Sequence, residues 1–146
     1  MKTASKFRFW LRHKRIAFDT SFLIPILEDM SLKGNQFTRI LQLSERKSVT
    51  LITSAVTLLE VLVHPYRAKD FEAVDRYYGY LTQQSLLRIL PLTADIADYA
   101  ANLRARYGFK TPDAIQIATA LKDKATLFLT QDHCFRKQKE IEIGFL

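Results

Sequence analysis

Ile16-Ala17-Phe18-Asp19-Thr20-Ser21-Phe22-Leu23-Ile24 is an apolar run broken once by a carboxylate. Ile16-Ala17-Phe18 follows a basic segment and predicts a buried first strand, so Asp19 stands where that strand gives way to a helix. In open parallel sheets, the edge beyond the carboxyl ends of the strands is where ligands bind. Three further acids, Glu60, Asp113 and Asp132, lie in comparably apolar surroundings far apart in sequence. The expectation is that they converge on Asp19 and hold a divalent metal.

Downstream of this stretch, Phe22, Leu23, Ile26 and Leu27 recur at helical spacing and predict a helix from Ser21 to about Met30, with Pro25 tolerated in its first turn. Gly34-Asn35 breaks the pattern, and Phe37, Ile40, Leu41 and Leu43 predict a second helix ending near Glu45-Arg46-Lys47. Val49 to Thr53 is β-branched and short, as a second strand should be, and Ser54 is placed to cap a helix from Ala55 to about Val63 that His64-Pro65 should end. A long amphipathic helix is expected from Ala68 to Gln84, then a third strand, Leu86 to Leu90. Thr93 and Gly108 bracket another helix. Thr111-Pro112-Asp113 then offers an N-cap, an early proline and a first-turn acid for a helix from Ala114 to Lys124. Thr126 to Leu129 is the fourth predicted strand, and Ile141-Glu142-Ile143 a small fifth. Strands alternating with helices predict a mainly parallel sheet covered on both faces, an α/β class.

With 146 residues, 48% of them hydrophobic, the chain suits one domain with a sizeable core. Four Gly, four Pro and no repeat argue against disordered, collagenous and solenoid classes. No apolar run approaches the roughly 18 residues of a membrane span, so a soluble protein without membrane partners is expected. The single Cys134 excludes an internal disulfide and fits a reducing, cytoplasmic compartment. Lys2, Lys6, Arg8, Arg12, Lys14 and Arg15 precede any acid but include no signal-peptide core, so residues 1–14 read as a basic N-terminal arm. The net charge of +7 (22 basic residues less 15 acidic) includes the four carboxylates, so the rest of the surface is more basic still. A cationic surface around a concentrated acidic site suits an enzyme that attracts and cleaves a polyanion.

Each acid has an ordinary alternative. Asp19 and Asp132 could be turn residues, and Asp113 a first-turn acid stabilised by the helix dipole. Glu60 is the least ordinary, because nearly every neighbour in Val56-Thr57-Leu58-Leu59-Glu60-Val61-Leu62-Val63 is apolar and a buried carboxylate needs compensation. Four oxygen donors select a hard ion, Mg²⁺ or Mn²⁺. Ser21, two residues after Asp19, is a hydroxyl placed to orient it. His13, His64 and His133 share no ligand spacing, and His133-Cys134 lacks partners for a soft metal. Lys110, Arg104 and Arg106 are phosphate-contact candidates that solvated helix ends explain equally well.

Taken in order, Asp19-Thr20-Ser21, Thr57-Leu58-Leu59-Glu60, Thr111-Pro112-Asp113-Ala114-Ile115-Gln116-Ile117-Ala118-Thr119-Ala120 and Leu129-Thr130-Gln131-Asp132 resemble the PIN-domain nucleases, and among them the VapC-like toxin endoribonucleases. The resemblance spans about residues 15 to 135, and residues 15–146 are expected to form a single domain of this type. It implies a three-layer α/β/α sandwich and carries Asp19, Glu60, Asp113 and Asp132 over as catalytic and metal-holding residues, with Ser21 and Thr130 as supporting hydroxyls. It also implies a Mg²⁺- or Mn²⁺-dependent ribonuclease leaving 5′-phosphate and 3′-hydroxyl ends, a homodimer, and often a small antitoxin protein. Aspartyl phosphotransferases want a second acid where Ser21 stands, and receiver domains want an aspartate after the third strand, where Leu90-Pro91-Leu92 has none. The remaining alternatives are a stand-alone nuclease of this fold without an antitoxin, and a non-catalytic RNA-binding or interaction module.

Overall fold

The computed structural model describes residues 6, 8–10, 12–28 and 36–145. Its strands are β1 (Arg15–Phe18), β2 (Thr50–Ser54), β3 (Leu87–Leu90), β4 (Leu127–Thr130) and β5 (Glu142–Phe145). Its helices are α1 (Thr20–Glu28), α2 (Gln36–Lys47), α3 (Ala55–Arg67), α4 (Phe71–Thr82), α5 (Ala94–Tyr107) and α6 (Thr111–Lys122), with a 3-10 helix at His133–Lys137. The Met30 end of the first helix and the Gly34-Asn35 break lie outside the described residues, as do Lys2 and much of the basic arm. Among the described residues, no helix is long and apolar enough to cross a membrane.

The strands form one sheet in the order β3-β2-β1-β4-β5, every pair parallel. Successive strand residues face opposite sides. Ile16, Phe18, Leu51, Leu127 and Leu129 pack with α1, α2 and α3, while Ala17, Ile52 and Phe128 pack with α5, α6 and Phe135. The result is a three-layer α/β/α sandwich. From β1 the chain winds outward through β2 and β3, then returns to place β4 on the other side of β1. The reversal opens a crevice between the carboxyl ends of β1 and β4, the position where parallel sheets bind ligands.

Four features of the helices differ from the sequence expectation: one interior proline and three boundaries. Pro25 lies inside α1, beyond its first turn, so that helix forgoes one interior hydrogen bond. α3 runs past His64-Pro65 to Arg67, because Pro65 buries its ring and Lys69 adopts a left-handed conformation (φ 55°) that ends the helix where a glycine would be usual. Asp70 then starts α4 by accepting a hydrogen bond from the Ala73 amide at 3.0 Å, which splits off the front of the predicted 68–84 helix. At α6, Thr111 is the first helical residue and not its cap; Lys110 holds the cap position without a side-chain bond, and Asp113 stays in the first turn.

The N-terminal segment is tied to the domain. Trp10 is 6% exposed and joins the core beneath α1, and His13 lies 2.9 Å from the Thr126 hydroxyl and 3.6 Å from the Glu142 carboxylate. At the opposite edge of the sheet from the crevice, Asp123 pairs with Arg15 and with Arg88, joining α6 to β1 and β3.

Candidate active site

Asp19 leaves β1 at the crevice and is 3% exposed. Its carboxylate accepts hydrogen bonds from the Ser21 hydroxyl (2.7 Å), the Thr130 hydroxyl (2.8 Å) and the Phe22 amide (3.2 Å). Ser21 in turn accepts from the Gln131 amide at 2.9 Å, and Thr130 from the Asp132 amide at 2.9 Å. The two hydroxyls thus lock the ends of β1 and β4 together, and the same lock sets the backbone that carries Asp132. Asp132 caps the 3-10 helix by accepting from the Cys134 amide at 2.8 Å, and Phe135, fully buried against Phe128 and Phe109, anchors that helix.

Glu60 arrives from α3 and Asp113 from the first turn of α6, and all four acids line one cleft of about 430 Å³. Glu60 is half-buried, not enclosed as its apolar neighbours suggested: α3 covers the sheet with one face only, and adjacent Leu59 is 62% exposed. Its carboxylate is held by the Thr20 hydroxyl and by the Gln116 amide, which donates at 3.1 Å to Glu60 and at 3.0 Å to Thr20. Gln116 and Thr20 were not singled out from the sequence. The available signal was spacing, since Gln116 lies three residues after Asp113 and therefore on the same face of α6.

The sequence model of a known family, the PIN domain, matches residues 16–141. The chain belongs to the PIN-domain family. No curated protein sequence matches it significantly. Among solved structures, this PIN domain is similar to the VapBC2 complex of Rickettsia felis bound to a promoter DNA fragment, with TM-score 0.75, 14% identity and coverage of 90% of this chain and 98% of that one. It is also similar to a Klebsiella pneumoniae toxin-antitoxin complex (TM-score 0.62, 26% identity, 86% and 94% covered). A third similar structure is VapC20 of Mycobacterium tuberculosis, a sarcin-ricin-loop-cleaving toxin (TM-score 0.62, 19% identity, 83% and 92% covered).

The electrostatics of the PIN-domain cleft favour a cation. Burial pushes the Asp19 carboxyl up to about 6 against the hydrogen bonds that favour its ionised form, and the Asp132 charge adds to the rise. The Asp113 carboxyl is raised by burial, then by the Asp132 and Glu60 charges, with Lys110 opposing. Among the described residues, no Lys or Arg lines the cleft. Among the described residues, Asp113 and Asp132 bring ligand atoms within 4.8 Å of each other, while Asp19 and Glu60 line the same cleft outside that close group. A hard divalent ion would be held first by Asp113 and Asp132, with Asp19 and Glu60 alongside. Cys134 reaches the same cluster, its sulfur 3.9 Å from Asp113 and its ligand atom within 4.8 Å of those of Asp113 and Asp132. Burial, then the neighbouring carboxylates, pushes its thiol up to about 12, which favours the protonated form while no cation is bound.

The weaker candidates separate. Arg104 donates to the Phe109 carbonyl (2.9 Å) and Arg106 to Glu140 (2.5 Å), both tying down the end of α5. His13 sits at the far edge of the sheet, His64 on the outer half of α3, and His133 directly beside Asp132. Because Gln116 holds Glu60, Gln116→Leu should weaken Mn²⁺ binding about tenfold, the lower end of the effect of removing a partner of a metal-binding carboxylate. Isothermal titration calorimetry checks this, and unchanged affinity would show that Thr20 alone positions Glu60.

Proposed function

We propose that this PIN-domain protein is a Mg²⁺- or Mn²⁺-dependent endoribonuclease, the toxin of a toxin-antitoxin pair, acting as a homodimer in the cytoplasm. One observation carries the nuclease reading. Four carboxylates from four separate elements line one cleft, whose described lining includes no Lys or Arg, in a chain whose net charge is +7. The toxin and antitoxin parts rest on the likeness to the VapBC2 complex and to the Klebsiella pneumoniae toxin-antitoxin complex.

When bound, a divalent ion lowers the pKa of water and neutralises phosphate charge. The protein's own contribution is geometric. Ser21, Thr130 and the Phe22 amide fix Asp19, while Thr20 and Gln116 fix Glu60, so the donors are organised before substrate arrives. Asp113, in the first turn of α6, would help to hold the ion in the cleft that Asp19 also lines. The water loses a proton to solvent as its oxygen bonds to phosphorus, and the 3′ oxygen takes a proton from solvent as its bond to phosphorus breaks, leaving a 5′-phosphate and a 3′-hydroxyl.

The test uses purified protein with end-labelled single-stranded and structured RNAs in Mn²⁺, Mg²⁺ or EDTA, with mapping of the product ends. Cleavage that requires the cation and leaves 5′-phosphates is expected. Cleavage that persists in EDTA, or that leaves cyclic phosphates, overturns the mechanism. No cleavage, together with no cation binding by calorimetry, leaves a binding module. Expression in a bacterial host should arrest growth, and full growth would remove the toxin assignment.

A further inference from the structure

We propose that His133, Arg136 and Phe145 form a stacking platform that holds an unpaired RNA base next to the acidic cleft. The inference rests on the ribonuclease reading and names how that site grips its substrate.

His133 follows Asp132 directly and opens the 3-10 helix. Such a helix has three residues per turn, so side chains three apart lie on one side and His133 and Arg136 project together. Both meet Phe145. The imidazole and phenyl centroids are 5.0 Å apart with planes inclined by 35°, and the Arg136 guanidinium carbon lies 4.6 Å from the phenyl centroid. Phe145 ends β5 in register with Thr130, the residue whose hydroxyl holds Asp19. The stack is therefore built onto the same sheet edge as the carboxylates.

The core has little use for this assembly. Phe135 already anchors the 3-10 helix, whereas His133 and Arg136 are exposed and Phe145 is half-buried. An exposed imidazole and a guanidinium plane backed by a phenyl ring offer π surface and positive charge together. An unpaired base and its phosphate present the complementary features, and stacking of this kind tolerates any base. A-form duplex keeps its bases stacked inside, so the platform selects single-stranded RNA.

The test measures steady-state cleavage of a single-stranded RNA in Mn²⁺ by wild type, His133→Ala, Arg136→Ala and His133→Phe. Each is also run on RNA carrying an abasic residue beside the mapped cleavage position. His133→Ala should raise KM about tenfold, the scale of one lost base stack, with kcat within about twofold of wild type. Arg136→Ala should raise KM similarly, and His133→Phe should restore it. The abasic residue should raise KM for wild type and add nothing for His133→Ala. Calorimetric Mn²⁺ affinity should be unchanged in all variants. The platform is refuted if the variants keep wild-type KM, if the abasic penalty is equal in wild type and His133→Ala, or if Mn²⁺ affinity falls in step with KM. RNA cleavage by wild type with any of these results removes the platform alone, whereas no cleavage by wild type removes the nuclease reading with it.

Discussion

Asp19→Asn should abolish cation-dependent RNA cleavage, by roughly 10³-fold or more, and yet raise the melting temperature of the protein in EDTA at pH 7. Both effects come from one buried charge. Burial lifts the Asp19 carboxyl from 3.8 to about 6, so between those values the folded chain holds a proton that the unfolded chain releases. The stabilisation from that proton is complete below about 4 and is lost as the pH rises through about 6. At neutral pH the ionised carboxylate therefore withholds roughly 3 kcal/mol, taking about 1.4 kcal/mol per unit. Asparagine keeps the shape without the charge, and in a chain of this size recovery of part of that energy raises Tm by several degrees. Thermal melts in EDTA at pH 5 and 7 decide the matter: the wild type should gain from acidification through this group, and the variant should not. A variant that melts below wild type at pH 7 would show that its hydrogen bonds matter more than its charge. With Mn²⁺ present the order reverses, because an ion that binds only the folded carboxylates stabilises the wild type. Its affinity, and with it cleavage, should fall as the pH drops through about 6.

Trp10→Ala should destabilise the domain by about 3–5 kcal/mol, the usual cost of truncating a buried tryptophan. The indole occupies space that Gly144 leaves open on β5. A methyl group built at Gly144 would lie 3.0 Å from the indole nitrogen and 2.7 Å from a Leu129 methyl. Urea denaturation should show a lower midpoint with an unchanged slope if the fold is otherwise intact. A loss below 1 kcal/mol would mean that the N-terminal segment leaves the domain without consequence. Gly144→Ala tests the same contact from the other side and should destabilise in the same direction, by less.

The layers were legible because each strand carries its own alternation. Ile16 and Phe18 face one layer and Ala17 the other, and short apolar runs between helical segments have few other solutions. The order of the acids was legible for the same reason: Asp19 and Asp132 follow strands, and Asp113 follows a proline at a helix start. What the sequence hid was partnership. Nothing local says that Gln116 reaches Glu60, 56 residues away, or that Ser21 meets Thr130 across 109, because these contacts exist only once β1 and β4 are neighbours. Trp10 was hidden by its company, since the surrounding Lys and Arg made residues 1–14 read as a basic arm while its aromatic ring was bound for the core. The end of α3 was hidden because Lys69 takes a conformation that its side chain does not advertise.

The Thr130 hydroxyl grips Asp19 from 111 positions along the chain. During synthesis, β1, β2 and β3 leave the ribosome first, but the seat beside β1 stays vacant until β4 follows. A nascent chain that ends short of residue 132 therefore lacks both the clasp on its first carboxylate and its fourth acid. The cleft is thus completed in a single late step of synthesis, when β4 and Asp132 join strands already in place.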